Sequence, residues 1–237
     1  MKRVSVAMAV YNGEKYLKEQ LDSILSQLGE KDEVVISDDG STDHTAELIR
    51  TYCEADPRIR LLHGPGRGIK QNIANALQHV EGTYIFLSDQ DDVWKPDKIR
   101  RVLAVFRERK CHVVVHDCIV TGPDLQQVLY PSFFAYRGFG NGALRNIWKN
   151  KYIGCCMAIH RDLLPLVLPI PDDIQMHDQW IGVINDMYKG GCVFLQEPLL
   201  FYRRHENNVS DFGTNTIPMM IRNRLRFIRR LMLRYRV

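Results

Sequence analysis

The sequence has no apolar run near the ~20 residues that a bilayer-crossing helix needs, so no such helix is expected. Its six cysteines (53, 111, 118, 155, 156 and 192) include no CxxC pair and no metal-ligand spacing, and they read as reduced, mostly buried thiols of a cytoplasmic protein. Met1-Lys2-Arg3 leads straight into a strand-like run, so no signal peptide is expected. There is no internal repeat and no low-complexity segment. Gly64-x-Gly66-x-Gly68 lacks the GxGxxG spacing and follows a third strand, so it reads as a flexible turn and not a dinucleotide loop. Acids are missing from Ile217 onward, where seven arginines stand (222, 224, 226, 229, 230, 234 and 236). The net charge of the whole chain is only +4, so the remainder is net acidic and the basic character is local. No nucleic-acid-binding motif accompanies these arginines, and no nucleic-acid partner is expected.

What is present suits one α/β domain with a proper core: 237 residues, 45% hydrophobic and 25% charged. Strand-like and helical stretches alternate through the first half. Val4–Val10 ends at Tyr11-Asn12-Gly13, and a helix follows with Tyr16, Leu17, Leu21, Ile24, Leu25 and Leu28 on one face. Glu33–Ser37 runs into Asp38-Asp39-Gly40-Ser41-Thr42-Asp43, and Thr42 or Asp43 is expected to cap the next helix. Arg60–His63, a helix around 71–80, the strand 83–87 and a helix from about Asp97 to Arg109 complete a pattern of parallel strands with crossover helices. The second half is less regular. Strands are expected at His112–His116 and Ile153–Ile159, an irregular functional loop between Thr121 and Trp148, and a helix opened by Met176-His177-Asp178.

The strand 83–87 delivers Ser88-Asp89-Gln90-Asp91-Asp92 at its carboxyl end, where open α/β sheets bind ligands. Three carboxylates within four residues repel one another unless solvated or bound to a cation. A solvated acidic turn is one reading; the buried strand before it and the matching features elsewhere favour a divalent metal site.

These segments resemble, in order over roughly residues 3 to 210, a family 2 glycosyltransferase of the GT-A fold, and the late segment resembles rhamnosyltransferase-like bacterial members. Val6-x-Met8-x-Val10-Tyr11-Asn12-Gly13 resembles the donor-binding turn, Ile36–Asp43 the "DDGSTD" segment, and Asp89-Gln90-Asp91 the DxD motif. Tyr202-Arg203-x-His205-x-Asn207-Asn208-x-Ser210 resembles the "YRxHxxNxS" segment.

The resemblance implies an inverting, single-displacement sugar transfer with Mn²⁺ or Mg²⁺, Asp178 as catalytic base, and Asp91 and His205 as metal ligands. Donor binding would fall to Ala9, Tyr11, Asn12, Glu14, Asp39, Lys70, Asn72, Asp89 and Gln90. Asp39 would accept from the pyrimidine base, which the backbone at Ala9 and the Tyr11 ring would frame. Lys70 and Arg67 would either reach the diphosphate or stay solvated, Asp178 would alternatively be a helix N-cap, and Asp38 would alternatively bond backbone in its turn. The donor would be dTDP-rhamnose or a UDP-hexose, and the acceptor a glycan or lipid-linked saccharide. No QxxRW motif is present, which favours one sugar per encounter over processive synthesis. A nucleotidyltransferase or a non-catalytic sugar- or nucleotide-binding module is the alternative.

The expected division is a transferase domain over 1–212, with a nucleotide-sugar half (1–110) and an acceptor half (111–212), and a basic amphipathic tail over 213–237. In the tail, Ile217, Ile221, Leu225, Ile228, Met232 and Tyr235 recur at three- or four-residue spacing, with Arg222, Arg226, Arg229 and Arg236 alongside. Two readings stand: the tail lies on an anionic membrane surface at the cytoplasmic leaflet, or it packs its apolar face on the domain.

Overall fold

The computed structural model describes residues 3–206, 208 and 216–234. Asn207, Ser210, Tyr235, Arg236 and the expected boundary at 212/213 lie outside them.

The chain runs β1 (Val4–Val10), α1 (Leu17–Leu25), β2 (Glu33–Asp38), α2 (Thr45–Ala55), β3 (Ile59–His63), α3 (Ile69–His79), β4 (Tyr84–Ser88), β5 (Val93–Trp94) and α4 (Lys98–Glu108). It continues through β6 (Val113–Thr121), β7 (Val128–Tyr130), α5 (Phe133–Arg137), α6 (Ala143–Trp148), β8 (Met157–His160), α7 (Leu164–Val167), α8 (His177–Tyr188), β9 (Val193–Arg203) and α9 (Ile217–Arg234). The sheet order is β3-β2-β1-β4-β8-β6-β9-β5, with β7 pairing β6. The first four strands are mutually parallel, as is β9 with β6, while β8 enters antiparallel to both β4 and β6. This is the α/β architecture expected from the sequence, with helices flanking the sheet and a basic C-terminal helix. One continuous sheet spans both expected halves.

β1 is buried at every position, as a central strand covered on both faces requires. In α1 the buried residues are Leu17, Gln20, Leu21 and Ile24, the three-and-four spacing that turns one helical stripe to the sheet.

Several local expectations are corrected. β6 extends well past His116, with register shifts at His116/Asp117 that let it follow β9. β9 runs through Pro198, which is tolerated because the ladder is already irregular there. Residues 154–156 form a 3₁₀ turn rather than strand. The stretch 121–148 holds β7, α5 and α6, elements too short to show a period; Ser132 caps α5 by accepting from Ala135 N–H. The N-cap of α2 is His44 rather than Thr42 or Asp43, although the Asp43 carboxylate still accepts from the N–H of the first helical residue, Thr45, at 3.0 Å, and from Glu14 N–H at 3.3 Å.

α9 docks on the domain, but not by the expected apolar face. Among its described side chains, Phe227 and Leu231 are the buried ones, with Phe227 edge-on to Trp180 at 5.7 Å. Arg224 donates to the Trp148 carbonyl, Arg230 pairs with Asp173 at 2.6 Å, and Arg234 donates to the Pro165 and Leu168 carbonyls. Ile221, Leu225, Ile228 and Met232 remain exposed.

Candidate active site

The carboxyl ends of β1, β2 and β4 lie along one edge of the sheet. The loop after β1 is clasped by Gln90, which accepts from Tyr11 N–H at 2.8 Å and donates to the Tyr11 carbonyl at 2.9 Å. Asn12 adopts φ 48°, and its Oδ1 accepts from Thr42 N–H at 2.8 Å. Glu14 accepts from His44 N–H at 2.8 Å. The side chains of Asn12 and Glu14 thus tie this loop to the acidic loop after β2. Asp38 turns back on its own loop, accepting from Ser41 N–H and Oγ. Asp39 instead reaches the glycine-rich turn after β3, accepting from Gly66 and Gly68 N–H at 2.8 and 2.6 Å. The glycine turn is therefore a cradle for a carboxylate. At Gly64 a Cβ would lie 2.5 Å from Asn72 Oδ1 and 2.8 Å from the Asp39 Cα, so no side chain fits.

Ala9 is buried in β1, while Tyr11 is exposed. Asn72 is buried and donates to the Val10 and Ser37 carbonyls at 3.0 and 2.8 Å, bracing the ends of β1 and β2. Lys70 donates to the Asp172 and Ile174 carbonyls, and Arg67 pairs with Asp172. Both cations are thus engaged by the segment before α8.

The acidic stretch after β4 is braced from beneath. Gln20 donates to Ser88 Oγ at 2.9 Å and to the Asp89 carbonyl at 2.8 Å. The buried Arg203 guanidinium donates to the Asp91 carbonyl at 2.8 Å, pairs with Glu19, and lies 4.5 Å over the Tyr16 ring. Lys98 is fully buried, with Nζ 3.9 Å over Trp94 and donating to the Cys155 carbonyl; burial pulls it down to about 8. Trp94 is core packing against Phe86.

Across 114 residues of sequence, His205 Nε2 meets Asp91 Oδ2 at 2.8 Å, and Asn208 Nδ2 meets the same oxygen at 3.2 Å. Asp92 is buried; Oδ1 accepts from Arg203 N–H at 3.1 Å, and Oδ2 has no hydrogen-bond partner among the described residues. Burial, then the charges of Asp91 and Asp178, push Asp89 up to about 7, and burial with Asp91 and Asp89 pushes Asp92 upward. Carboxylates of Asp89 and Asp92 and the Cys155 thiol bring one atom each within 4.8 Å of one another. Asp91 and His205 offer an oxygen–nitrogen pair, and the crowded Asp89 and Asp92 carboxylates beside Asp91 add negative charge, chemistry that fits a divalent cation.

Asp178 lies in the first turn of α8, whose N-cap is Met176; the N-cap alternative is thereby corrected. It is 5% exposed, and Oδ1 accepts from Gln179 N–H at 2.6 Å and Asn150 Nδ2 at 3.1 Å. Burial raises it to about 6, against those hydrogen bonds, which favour the charged form. The neighbouring His177 is driven down to about 4 by burial and Lys70. Gly154 backs this pair: a Cβ there would meet His177 Nε2 at 2.8 Å. His116 and Asp117 are structural, with Asp117 accepting from Cys118 N–H, Phe134 N–H and Ser132 Oγ.

The structure thus gathers Asp89, Asp91, Asp178 and His205 from three distant segments. Sequence reading singled out none of Gln20, Lys98 or Asn150, and quoted Arg203 and Asn208 only within a motif. Lys98 follows a proline turn like any surface lysine, and Asn150 sits in the aperiodic stretch, so neither carries a local signal.

Residues 5–166 match the family model described as glycosyl transferase family 2. The glycosyltransferase GlyG of Streptococcus pneumoniae is 33% identical over 113 residues, which is 47% of this chain and 38% of GlyG. The chain therefore spans well under two thirds of that relative's length. Among solved structures, S. aureus TarS 1-349 in complex with UDP-GlcNAc superposes with a TM-score of 0.71 at 19% identity, over 95% of this chain and 66% of that one. The mannosyltransferase PcManGT from Pyrobaculum calidifontis, in complex with GDP-Man and Mn²⁺, gives 0.66 at 21% identity, over 97% and 64%.

Proposed function

The chain belongs to glycosyl transferase family 2, and from that premise we propose that it moves one sugar from a nucleoside-diphosphate sugar to a hydroxyl of a lipid-linked glycan acceptor, with inversion and with a divalent metal, in cell-surface polysaccharide assembly at the cytoplasmic side. The observation that carries this reading is the convergence of Asp91 and His205, 2.8 Å apart, with Asp178, whose charge reaches Asp89.

In this reading the cleft formed by the loops after β1 and β2 takes the nucleotide. Asp39 keeps unused lone pairs beyond those engaged by Gly66 and Gly68, so it can accept from a base N–H. The Tyr11 ring and the backbone at Ala9 flank that base. Asn12, Glu14, Asn72 and Gln90 shape the donor loops through the bonds described above, Asp89 would meet the ribose or a metal-bound water, and Lys70 would reach the diphosphate on leaving the Asp172 and Ile174 carbonyls. Asp91 and His205 would hold Mn²⁺ or Mg²⁺. When bound, that ion supplies positive charge against the leaving diphosphate.

Asp178 removes the acceptor proton. As the hydroxyl oxygen bonds to the anomeric carbon, the bond from that carbon to the diphosphate oxygen breaks and the proton passes to the Asp178 carboxylate. A carboxylate raised to about 6 is ionised at neutral pH yet more basic than an ordinary aspartate, which suits it to that task. Asn150 and Gln179 hold its orientation.

TarS is solved in complex with UDP-GlcNAc and PcManGT in complex with GDP-Man, so the donor panel extends beyond dTDP-rhamnose and UDP-hexoses. The full chain is incubated with Mn²⁺ and each of dTDP-rhamnose, UDP-glucose, UDP-galactose, UDP-GlcNAc and GDP-mannose, and nucleoside diphosphate release is measured. Release from one donor, abolished by Asp91→Asn, is expected. Folded protein that releases nothing from any donor and binds none would overturn the reading in favour of a non-catalytic module.

A further inference from the structure

Three stripes run along α9. The docked one carries Phe227 and Leu231. A second carries Ile221, Leu225, Ile228 and Met232, exposed by 40 to 62%. The third carries Arg222, Arg226 and Arg229, also exposed. Burial of a third face leaves both halves of an amphipathic helix turned outward.

The apolar stripe does not end at the helix. Around the α9 axis, Arg224 falls between the docked seam and the apolar stripe, and its guanidinium lies 4.1 Å over the Trp148 ring. Trp148, 68% exposed, therefore borders the stripe, and Leu144 stands one turn before it on α6, 85% exposed.

We propose that this α6–α9 face docks on the surface of an anionic phospholipid bilayer. The apolar stripe and the Trp148 indole lie at the headgroup boundary, and the arginine stripe lies against the lipid phosphates. Isoleucine, leucine and methionine side chains beside arginines, with no acid from residue 217 to 237, complement a negative, apolar-edged layer. An amphipathic indole at the margin is the side chain enriched at that depth.

The placement ties the surface to the candidate base. Phe227 packs on Trp180, two residues after Asp178. Asn150, two residues after Trp148, donates to Asp178 itself. A hydroxyl on an acceptor anchored in the same bilayer would thus approach from the side on which Asp178 is held. Only this last step rests on the transferase reading; the lipid contact does not.

The test is co-sedimentation of the full chain with vesicles of phosphatidylglycerol and phosphatidylcholine in equal parts, against phosphatidylcholine alone. Binding to the anionic vesicles only, weakened by salt, is expected. Each arginine at such a surface contributes about fivefold, so combined Arg222→Gln, Arg226→Gln and Arg229→Gln should weaken binding roughly a hundredfold. Leu225→Glu, at an exposed site, should abolish binding with an unchanged Tm. Trp94 and Trp180 are buried, so a blue shift in tryptophan emission on binding should vanish in Trp148→Phe.

No anionic preference, or full binding by the triple variant, overturns the proposal. So does a dimer that Leu225→Glu dissociates, which would assign the stripe to a second copy of the chain. Vesicle binding by folded protein that neither binds nor turns over any donor would sink the transferase reading and leave this one standing; donor turnover with no vesicle binding would do the reverse.

Discussion

Replacing Asp178 by asparagine should abolish activity and yet stabilise the protein at alkaline pH. The carboxylate is 5% exposed and raised from 3.8 to about 6, chiefly by burial. A group whose folded-state value is raised contributes most below the unfolded value, and that contribution is lost as pH climbs through the folded one. At pH 8 the ionised carboxylate therefore costs the fold about 3 kcal/mol relative to the unfolded chain, from roughly two units at 1.36 kcal/mol each. At pH 5 the cost falls to about 1.5 kcal/mol, and below about 4 it disappears. Asp178→Asn keeps the shape and an oxygen to accept from Gln179 N–H, so it should gain up to about 3 kcal/mol at pH 8 and half that at pH 5. Urea unfolding of both proteins across that range measures the gap. In parallel, transfer should fall about 10²–10⁴-fold, the usual worth of a positioned base. A variant less stable than the parent at pH 8, or a gap independent of pH, would refute the reasoning and make Asp178 a support of the α8 first turn.

Other perturbations reach the same site. Activity should rise with pH along a limb near 6, and Asn150→Ala should move that limb upward, because it removes a hydrogen bond to the charged form; kcat/KM profiles of the two proteins check this. Gly64→Ala should weaken nucleotide binding measured by calorimetry, since its Cβ would press on Asn72 and on the backbone of Asp38 and Asp39. Gly154→Ala should lower activity with little change in donor affinity, because its Cβ would displace His177 beside Asp178. Arg203→Ala removes a buried guanidinium bonded to the Asp91 carbonyl, the Pro123 carbonyl and Glu19, and should cost at least about 2–3 kcal/mol in urea unfolding.

The sheet of the first half was legible because its physics is local. An unbroken apolar run such as Val4–Val10 has few alternatives to a doubly covered strand, and Leu17, Leu21 and Ile24 repeat at helical spacing. The acidic stretch after β4 could be placed at a strand end for the same reason. Its pairing with His205 could not, because no local pattern encodes contact between residues 114 apart; only the resemblance of the late segment supplied it. Lys98 misleads in the opposite sense: a lysine in a helix ordinarily faces water, and here its ammonium lies over the Trp94 ring inside the core. In α9 the apolar stripe was visible, but which stripe docks was not. Phe227 and Leu231 fix the seam, while arginine stems and carbonyl acceptors flank it, a mode that hydrophobic spacing alone does not rank.

Asp91 with His205 is proposed to serve the metal and diphosphate, and Asp178 the acceptor proton. Calorimetric titration of the donor's nucleoside diphosphate, with and without Mn²⁺, into the parent, Asp91→Asn and Asp178→Asn proteins tests it most directly. Metal-dependent binding in the parent and in Asp178→Asn, lost in Asp91→Asn, is the predicted result. Binding that ignores the metal and survives in Asp91→Asn would contradict it.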